Sequence, residues 1–159
     1  MSRFSNKTYN TTLFSLQTYP KLAGDLDSNR VPRYNTPMKP DCIFCKIVAG
    51  TVPSEKVYED ETFLAFLDIR PLSPGHTLVI PKEHHRWVWD VPMYAAYLDV
   101  VKRIALAQRA AFGTDAIRAK VVGEEVPHAH VWVFPEPETA QGDKEAFAIN
   151  AAKLKDALN

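Results

Sequence analysis

The run "VPHAHVWVFP" at residues 126–135 restricts the fold more than any other stretch of the chain. Val126, Ala129, Val131 and Val133 are apolar and mostly β-branched, and the run stops at Pro135. Period-two alternation of this kind reads as a β-strand. Successive side chains of a strand point to opposite faces, so His128, His130, Trp132 and Phe134 share one face, with the two imidazoles roughly 6.6 to 6.8 Å apart. Taken alone, the pair has three readings. It lines a half-polar face, it belongs to a metal site, or it is a catalytic strand in which Trp132 stands where a third histidine would continue the pattern.

A strand needs neighbours, and the sequence supplies four. "KVYED" and "TFLAFLD" read as strands around a turn at Glu59–Glu61, "HTLVIP" as a third, and "IRAKVV" as the partner of the histidine strand across "GEEVP". "RPLSPGH" is a loop, because Pro71, Pro74 and Gly75 forbid regular structure. "CIFCKIVAG" predicts a short helix closed by Gly50. The spacing over 90–112 predicts a long helix, N-capped by Asp90, with Pro92 in its first turn and Gly113 after its end. Its expected apolar stripe is Tyr94, Tyr97, Leu98, Val101, Ile104, Ala105 and Gln108. Asp143 is expected to cap a closing helix over 144–158. Five strands joined by short loops, with few helices, give an α+β class with an antiparallel sheet.

Residues 1–40 differ from the rest. Ser, Thr, Asn and Pro alternate there with charge and scattered aromatics, and neither a period of 2 nor one of 3.6 persists. We read 1–40 as an irregular N-terminal extension and 41–159 as one domain, a length that supports a full core. The extension carries six basic residues against Asp25 and Asp27, a balance of +4 in a chain whose net charge is zero. With its aromatics it is a candidate contact for RNA or a protein partner. No run is apolar enough to span a bilayer or to form the core of a signal peptide, so a cytoplasmic protein is expected.

The two cysteines of the chain are Cys42 and Cys45. In a reducing compartment Cys-x-x-Cys means a metal half-site or a redox pair more often than a structural disulfide. A thioredoxin-like redox motif expects a strand before it, whereas here a Pro-rich linker precedes, so redox is the weaker option.

The ordered motifs "DCIFCKIVAGTVPSEKVYEDETFLAFLDIRPLSPGHTLVIPKEH" and "VPHAHVWVFP" resemble the histidine-triad (HIT) family, in its bacterial Hint-like branch. The resemblance covers about residues 41–136. It implies a five-stranded antiparallel sheet with one long helix, and a homodimer built through that helix and a strand. It implies hydrolysis or transfer at the α-phosphate of nucleoside phosphoramidates or related purine adenylates. His130 matches the family's nucleophile, which forms a nucleotidyl-histidine intermediate, and His76 matches a histidine beside it. Asp68 matches the carboxylate on the ribose hydroxyls, and Phe44, Ile69 and Trp132 fall among the nucleotide contacts. Zinc-containing relatives hold the metal through residues that match Cys42, Cys45, His84 and His128. Two thiolates and two imidazoles make a closed, structural type of site, and His85 is then expected to be a solvated neighbour.

Two departures qualify the resemblance. Trp132 replaces the third histidine, and an indole N–H can donate a hydrogen bond but cannot shuttle a proton. This points to slow or transferase-like chemistry, with a nucleotide-binding module of little catalysis as the alternative. "VVGEEVP" also replaces a loop of neutral donors, and Glu124 or Glu125 repels a phosphate unless it points away.

Overall fold

The computed structural model describes residues 39–159. The expected extension over 1–40, and any RNA or protein contact it makes, lies outside the described residues but for Lys39 and Pro40.

Five strands form one antiparallel sheet: β1 (Lys56–Glu59), β2 (Phe63–Leu67), β3 (Thr77–Pro81), β4 (Ile117–Val122) and β5 (His130–Pro135), in the order β1-β2-β3-β5-β4. Among the described residues three α-helices accompany it: α1 (Ile43–Val48), α2 (Tyr94–Phe112) and α3 (Phe147–Leu158). The α+β class, the five strands and the two long helices agree with the sequence reading.

"FLAFL" and "TLVIP" do not alternate, and the reason is that β2 and β3 are buried along their whole length. One face of the sheet packs under α2 and α3 through Ala65, Val79, Val131 and Val133, with Tyr97, Ile104 and Leu154 above. The other face packs under α1 through Leu64, Phe66, Leu78 and Ile80 against Phe44 and Ile47. Fully burying one such side chain stabilises a fold by about 1.5–3 kcal/mol, so both layers hold the central strands. β4 lies at the sheet edge and is exposed over most of its length.

Three expected boundaries move. The ladder of β5 begins at His130, paired with Val122, and not at Val126. Pro127 has no N–H to give a ladder, and a tight turn closes there, with His128 N–H on the Val126 carbonyl at 2.7 Å. Helix α2 begins at Tyr94, and Asp90 is not its cap. Asp90 ends a short 3-10 turn over Val88–Asp90, after which Val91 is extended with ψ 116°. A residue before proline is pushed out of the helical region, so Pro92 separates the two. Gly113 ends α2 in the left-handed region, as expected. Helix α3 begins at Phe147 and not at 144. Asp143 accepts the Glu145 N–H at 2.9 Å and its carbonyl accepts the Asn150 amide, so its side chain makes an Asx turn ahead of the helix.

The face of α2 that meets the core is Tyr97, Val100, Ile104, Ala107, Gln108 and Phe112. Tyr94 and Leu98, expected in the core stripe, are 37% and 39% exposed. Val101 and Ala105 are half-buried beside them. The helix thus carries a second, outward apolar stripe next to the buried one.

Two buried groups join these layers ahead of the site. Tyr97 donates its hydroxyl to the Val79 carbonyl at 2.6 Å. Gln108 donates its amide to the carbonyls of Gly75 and Val133, both at 2.8 Å. Gly75 itself adopts φ +73°, and a Cβ there would run into the Phe112 ring. The turn before β3 therefore requires glycine.

Candidate active site and metal centre

The first turn of α1 presents two thiols on one side. Cys42 precedes the helix and Cys45 lies three residues on, a spacing that puts side chains on one face. Gly50, at φ 74°, reverses the chain, and the Thr51 N–H closes back on the Lys46 carbonyl at 3.0 Å. Opposite the thiols stand His84, just past β3, and His128, just before β5. Cys42 Sγ lies 3.4 Å from His128 Nδ1, Cys45 Sγ 3.3 Å from His84 Nδ1, and Cys45 Sγ 3.6 Å from His128 Nδ1. All four ligand atoms fall within 4.8 Å of one another, and all four residues are buried.

A tetrahedral zinc with bonds of about 2.3 Å to sulfur and 2.05 Å to nitrogen requires S···N separations of about 3.6 Å. The donor set fits such an ion, and the orientation of the rings agrees. His128 donates Nε2–H to the Pro81 carbonyl at 2.9 Å, since a carbonyl only accepts. That bond fixes the tautomer and turns the Nδ1 lone pair on the thiols, the arrangement expected of a ligand imidazole. Burial pushes the Cys45 thiol up from its ordinary pKa, and burial holds His128 down at about 4 and lowers His84. The cluster therefore keeps its imidazoles neutral, as ligands must be. His85 is buried, not solvated. Its carbonyl accepts the Ala129 N–H at 2.6 Å, and its ring faces Glu83 at 3.5 Å.

Two residues along, His130 is held the other way round. Its Nδ1–H donates to the His128 carbonyl at 2.7 Å, which leaves the Nε2 lone pair uncommitted among the described residues. Burial lowers the pKa of His130, opposed by that hydrogen bond and by the carboxylates of Asp68, Glu125 and Glu124. The ring is neutral near pH 7, with a free nitrogen. That is the form in which an imidazole acts as a nucleophile.

His130 forms part of the wall of a cavity of about 270 Å³, just under the ~300 Å³ lower end of small-molecule sites. Phe44, Phe66 and Leu78 give it an apolar floor, and Asp68 and Trp132 bring polar atoms to its rim. Phe44 packs edge-on to both His128 and His130, at ring separations of 5.8 and 5.2 Å. Phe44 therefore borders both the cavity and the thiol–imidazole cluster. Ile69 also lines the cavity and is 82% exposed.

His76, from the loop before β3, does not line the cavity itself but packs against Trp132, which does. Its ring meets Trp132 and Phe134 edge-on at 5.0 and 5.1 Å. It is 1% exposed, accepts the Leu72 N–H at Nδ1 over 3.3 Å, and leaves Nε2 buried without a partner. Burial takes its pKa down to about 4 although Asp68 lies 3.9 Å away. Asp68 is anchored by the Arg70 N–H at 2.8 Å.

The residues expected to bind metal or nucleotide, or to catalyse, thus fall in two neighbouring clusters. Cys42, Cys45, His84 and His128 gather in the first; His76, Asp68, Phe44, Ile69, Trp132 and His130 gather in the second. The sequence did not reveal Arg70, Phe66 or Val126, which also line the cavity. Nor did it anticipate the partners of the acidic hairpin. Glu125 pairs with Arg70 across the cavity mouth at 3.6 Å, while Glu124 accepts the Gly123 N–H at 3.2 Å. Arg70 sits beside the matched Asp68–Ile69 pair, a signal a reader of the sequence could have weighed.

Comparison with known proteins bears on this arrangement. The HIT domain family profile matches residues 49–139. The chain is 45% identical over 122 residues to Protein hit of Bacillus subtilis, covering 72% of this chain and 84% of that one. It is 35% identical over 104 residues to an adenosine 5'-monophosphoramidase of Saccharomyces cerevisiae, covering 64% and 66%. Among solved structures, a zinc-bound histidine triad family protein from Mycobacterium smegmatis aligns with TM-score 0.63 and 36% identity, over 74% of this chain and 93% of that one. The family profile spans more than half of the chain and the Bacillus relative is 45% identical over most of both chains, so the chain belongs to the HIT domain family.

Proposed function

We propose that the protein is a nucleotide hydrolase or transferase that attacks the α-phosphate of purine nucleoside phosphoramidates or related adenylates through His130. The observation that carries this reading is the His130 ring, its Nδ1–H held by the His128 carbonyl and its Nε2 free at the wall of the cavity. Attack by a neutral imidazole gives a nucleotidyl-histidine, splitting one hard displacement into two easier ones. The Phe44–Phe66 side of the cavity suits a base, and Asp68 at the rim suits ribose hydroxyls. The named activity of the yeast relative, an adenosine 5'-monophosphoramidase, supports the same substrate class.

Zinc is the metal we assign to Cys42, Cys45, His84 and His128, on the donor set, the S···N separations and the zinc-bound mycobacterial relative. Four protein ligands leave no open position, so the ion's contribution is to tie α1 to the ends of β3 and β5. That tie sets the Phe44 ring and the His128 carbonyl, and both orient His130.

The outward stripe of α2 and the exposed edge strand β4, where Val121 is 41% exposed, support a homodimer joined along both. Light scattering at micromolar concentration is expected to give twice the chain mass; a monomer mass refutes the dimer.

The test of function is incubation with a panel of adenosine phosphoramidates and dinucleoside polyphosphates, reading both turnover and trapped nucleotidyl-protein. Turnover of an amine-bearing substrate with adenylate trapped on His130 is the expected result. Tight AMP binding with no trapped adduct on any substrate favours the alternative suggested by Trp132, a nucleotide-binding module without catalysis.

A further inference from the structure

Cleavage of a phosphoramidate raises a proton problem. As the P–N bond breaks, the departing nitrogen becomes strongly basic and needs a proton before an amine can leave. Beside His130 on β5 stands Trp132, whose indole donates a hydrogen bond but yields no proton at ordinary pH. His76, on one side of Trp132, is buried and neutral. A proton source has to come from elsewhere on this face of the sheet.

The strand register supplies one. Lys120 on β4 is the cross-strand partner of Trp132, and Val122 is the partner of His130. Paired residues share a face, so Lys120 projects on the same side as His130 and Trp132. Its Nζ stands over the indole, 5.3 Å from the ring centroid, where the ring's negative face attracts an ammonium. The other cation on this stretch of β4, Arg118, is committed to Glu136. Lys120 has no hydrogen bond or ion pair among the described residues. Its long flexible stem carries three rotatable donors, and His130 lies only one side-chain repeat, roughly 6.6 to 6.8 Å, along the neighbouring strand from Trp132.

We propose that Lys120 is the general acid for the leaving group, with the Trp132 ring as the platform that holds its ammonium beside the reacting phosphorus. The proposal rests on the reading of His130 as nucleophile. In the first half-reaction His130 Nε2 forms a bond to phosphorus and the P–N bond to the leaving group breaks. The electron pair of that bond stays on the departing nitrogen, which takes a proton from Lys120 Nζ. A free amine and a neutral lysine result. In the second half-reaction water attacks phosphorus and gives a proton to Lys120 Nζ. The bond to His130 breaks with its electrons returning to the ring, and nucleoside monophosphate is released with the ammonium restored.

The experiment uses the full metal-loaded chain in single turnover, on an adenosine phosphoramidate with an alkylamine leaving group and on adenosine phosphorofluoridate, whose fluoride leaves without a proton. Lys120→Met is expected to slow release of the amine by about 10² to 10⁴-fold, the usual worth of general acid catalysis, and to slow release of fluoride far less. Lys120→Arg is expected not to rescue the amine reaction, because a guanidinium keeps its proton. In a Trp132→His background the same Lys120→Met change is expected to cost much less, since the new imidazole supplies the proton. An unchanged ratio of amine to fluoride rates in Lys120→Met overturns the proposal, and so does full rescue by Lys120→Arg, which would assign Lys120 a charge and not a proton. If fluoride release proceeds with adenylate trapped on His130 while Lys120→Met leaves the amine rate intact, Lys120 alone is refuted. If no adenylate is trapped from either substrate, the nucleotidyl-transfer reading falls and the proposal falls with it.

Discussion

His128 and His130 stand two residues apart, touch the same phenylalanine ring and are both buried, yet they face their surroundings with opposite nitrogens. His128 gives its Nε2–H to the Pro81 carbonyl and turns Nδ1 on two thiols. His130 gives its Nδ1–H to the carbonyl of His128 itself and keeps Nε2 for the cavity. The two regions differ in which ring nitrogen the backbone occupies, not in residue type or burial. A backbone carbonyl that accepts one proton decides the tautomer, and the tautomer decides whether a lone pair meets a metal or a substrate. The regions are also chained together, since the carbonyl that orients His130 belongs to the residue in the metal cluster.

The sharpest way to break this comparison is to remove each ring in turn. His130→Ala is expected to abolish turnover while metal content and cooperative melting persist. His128→Ala is expected to lose metal and melting temperature first, and activity as a consequence. Elemental analysis, thermal melting and a rate assay on both variants provide the check. Loss of metal in His130→Ala, or full metal content in His128→Ala, would show that the two rings do not divide the work this way.

A smaller effect is expected at Trp132. Trp132→His removes the ring under the Lys120 ammonium but puts an imidazole acid on the His130 face, so amine release should change by less than about 10²-fold, the low end of general acid assistance. Fluoride release should change little. Equal changes for both leaving groups would mean that position 132 acts by shape and not through delivery of a proton.

The smallest effect tests burial behind Trp132. His76 has its pKa lowered by burial from the ordinary 6.5 to about 4, so the unfolded chain binds the proton more tightly than the folded one. The resulting stability is complete above pH 6.5 and is lost as pH falls from there toward 4. His76→Gln should flatten that part of the melting profile, and His128, shifted the same way by burial, should leave a residual slope while metal is absent. A profile of unchanged steepness in metal-free His76→Gln would show that His76 is not held neutral by the fold.

The elements that read clearly from the sequence are those that local chemistry fixes. The left-handed glycines at 50 and 113 end their helices because no Cβ opposes that backbone, and the strands of "TFLAFL" and "HTLVIP" are long apolar runs between turn residues. The boundaries that moved all involve a side chain or ring whose effect depends on context: Pro92 separating Asp90 from α2, Asp143 closing a turn and not a helix, and Pro127 delaying β5 to His130. Tyr94 and Leu98 looked like core because a helical period shows where apolar residues lie but not which adjacent stripe meets the sheet.

The sequence by itself determined the donor types, their order along the chain and the strand that carries two of them. It also determined the replacement of a third histidine by Trp132. Tertiary structure alone decided that His84 and His128 meet the thiols of α1, that Arg70 reaches across to Glu125, and that Lys120 stands over Trp132. The reason is physical. Capping, turn and burial preferences act within a few residues and are written locally, whereas a ring's free nitrogen, an ion pair or a cross-strand neighbour depends on a group brought in from elsewhere in the chain, as far as 86 residues away between Cys42 and His128.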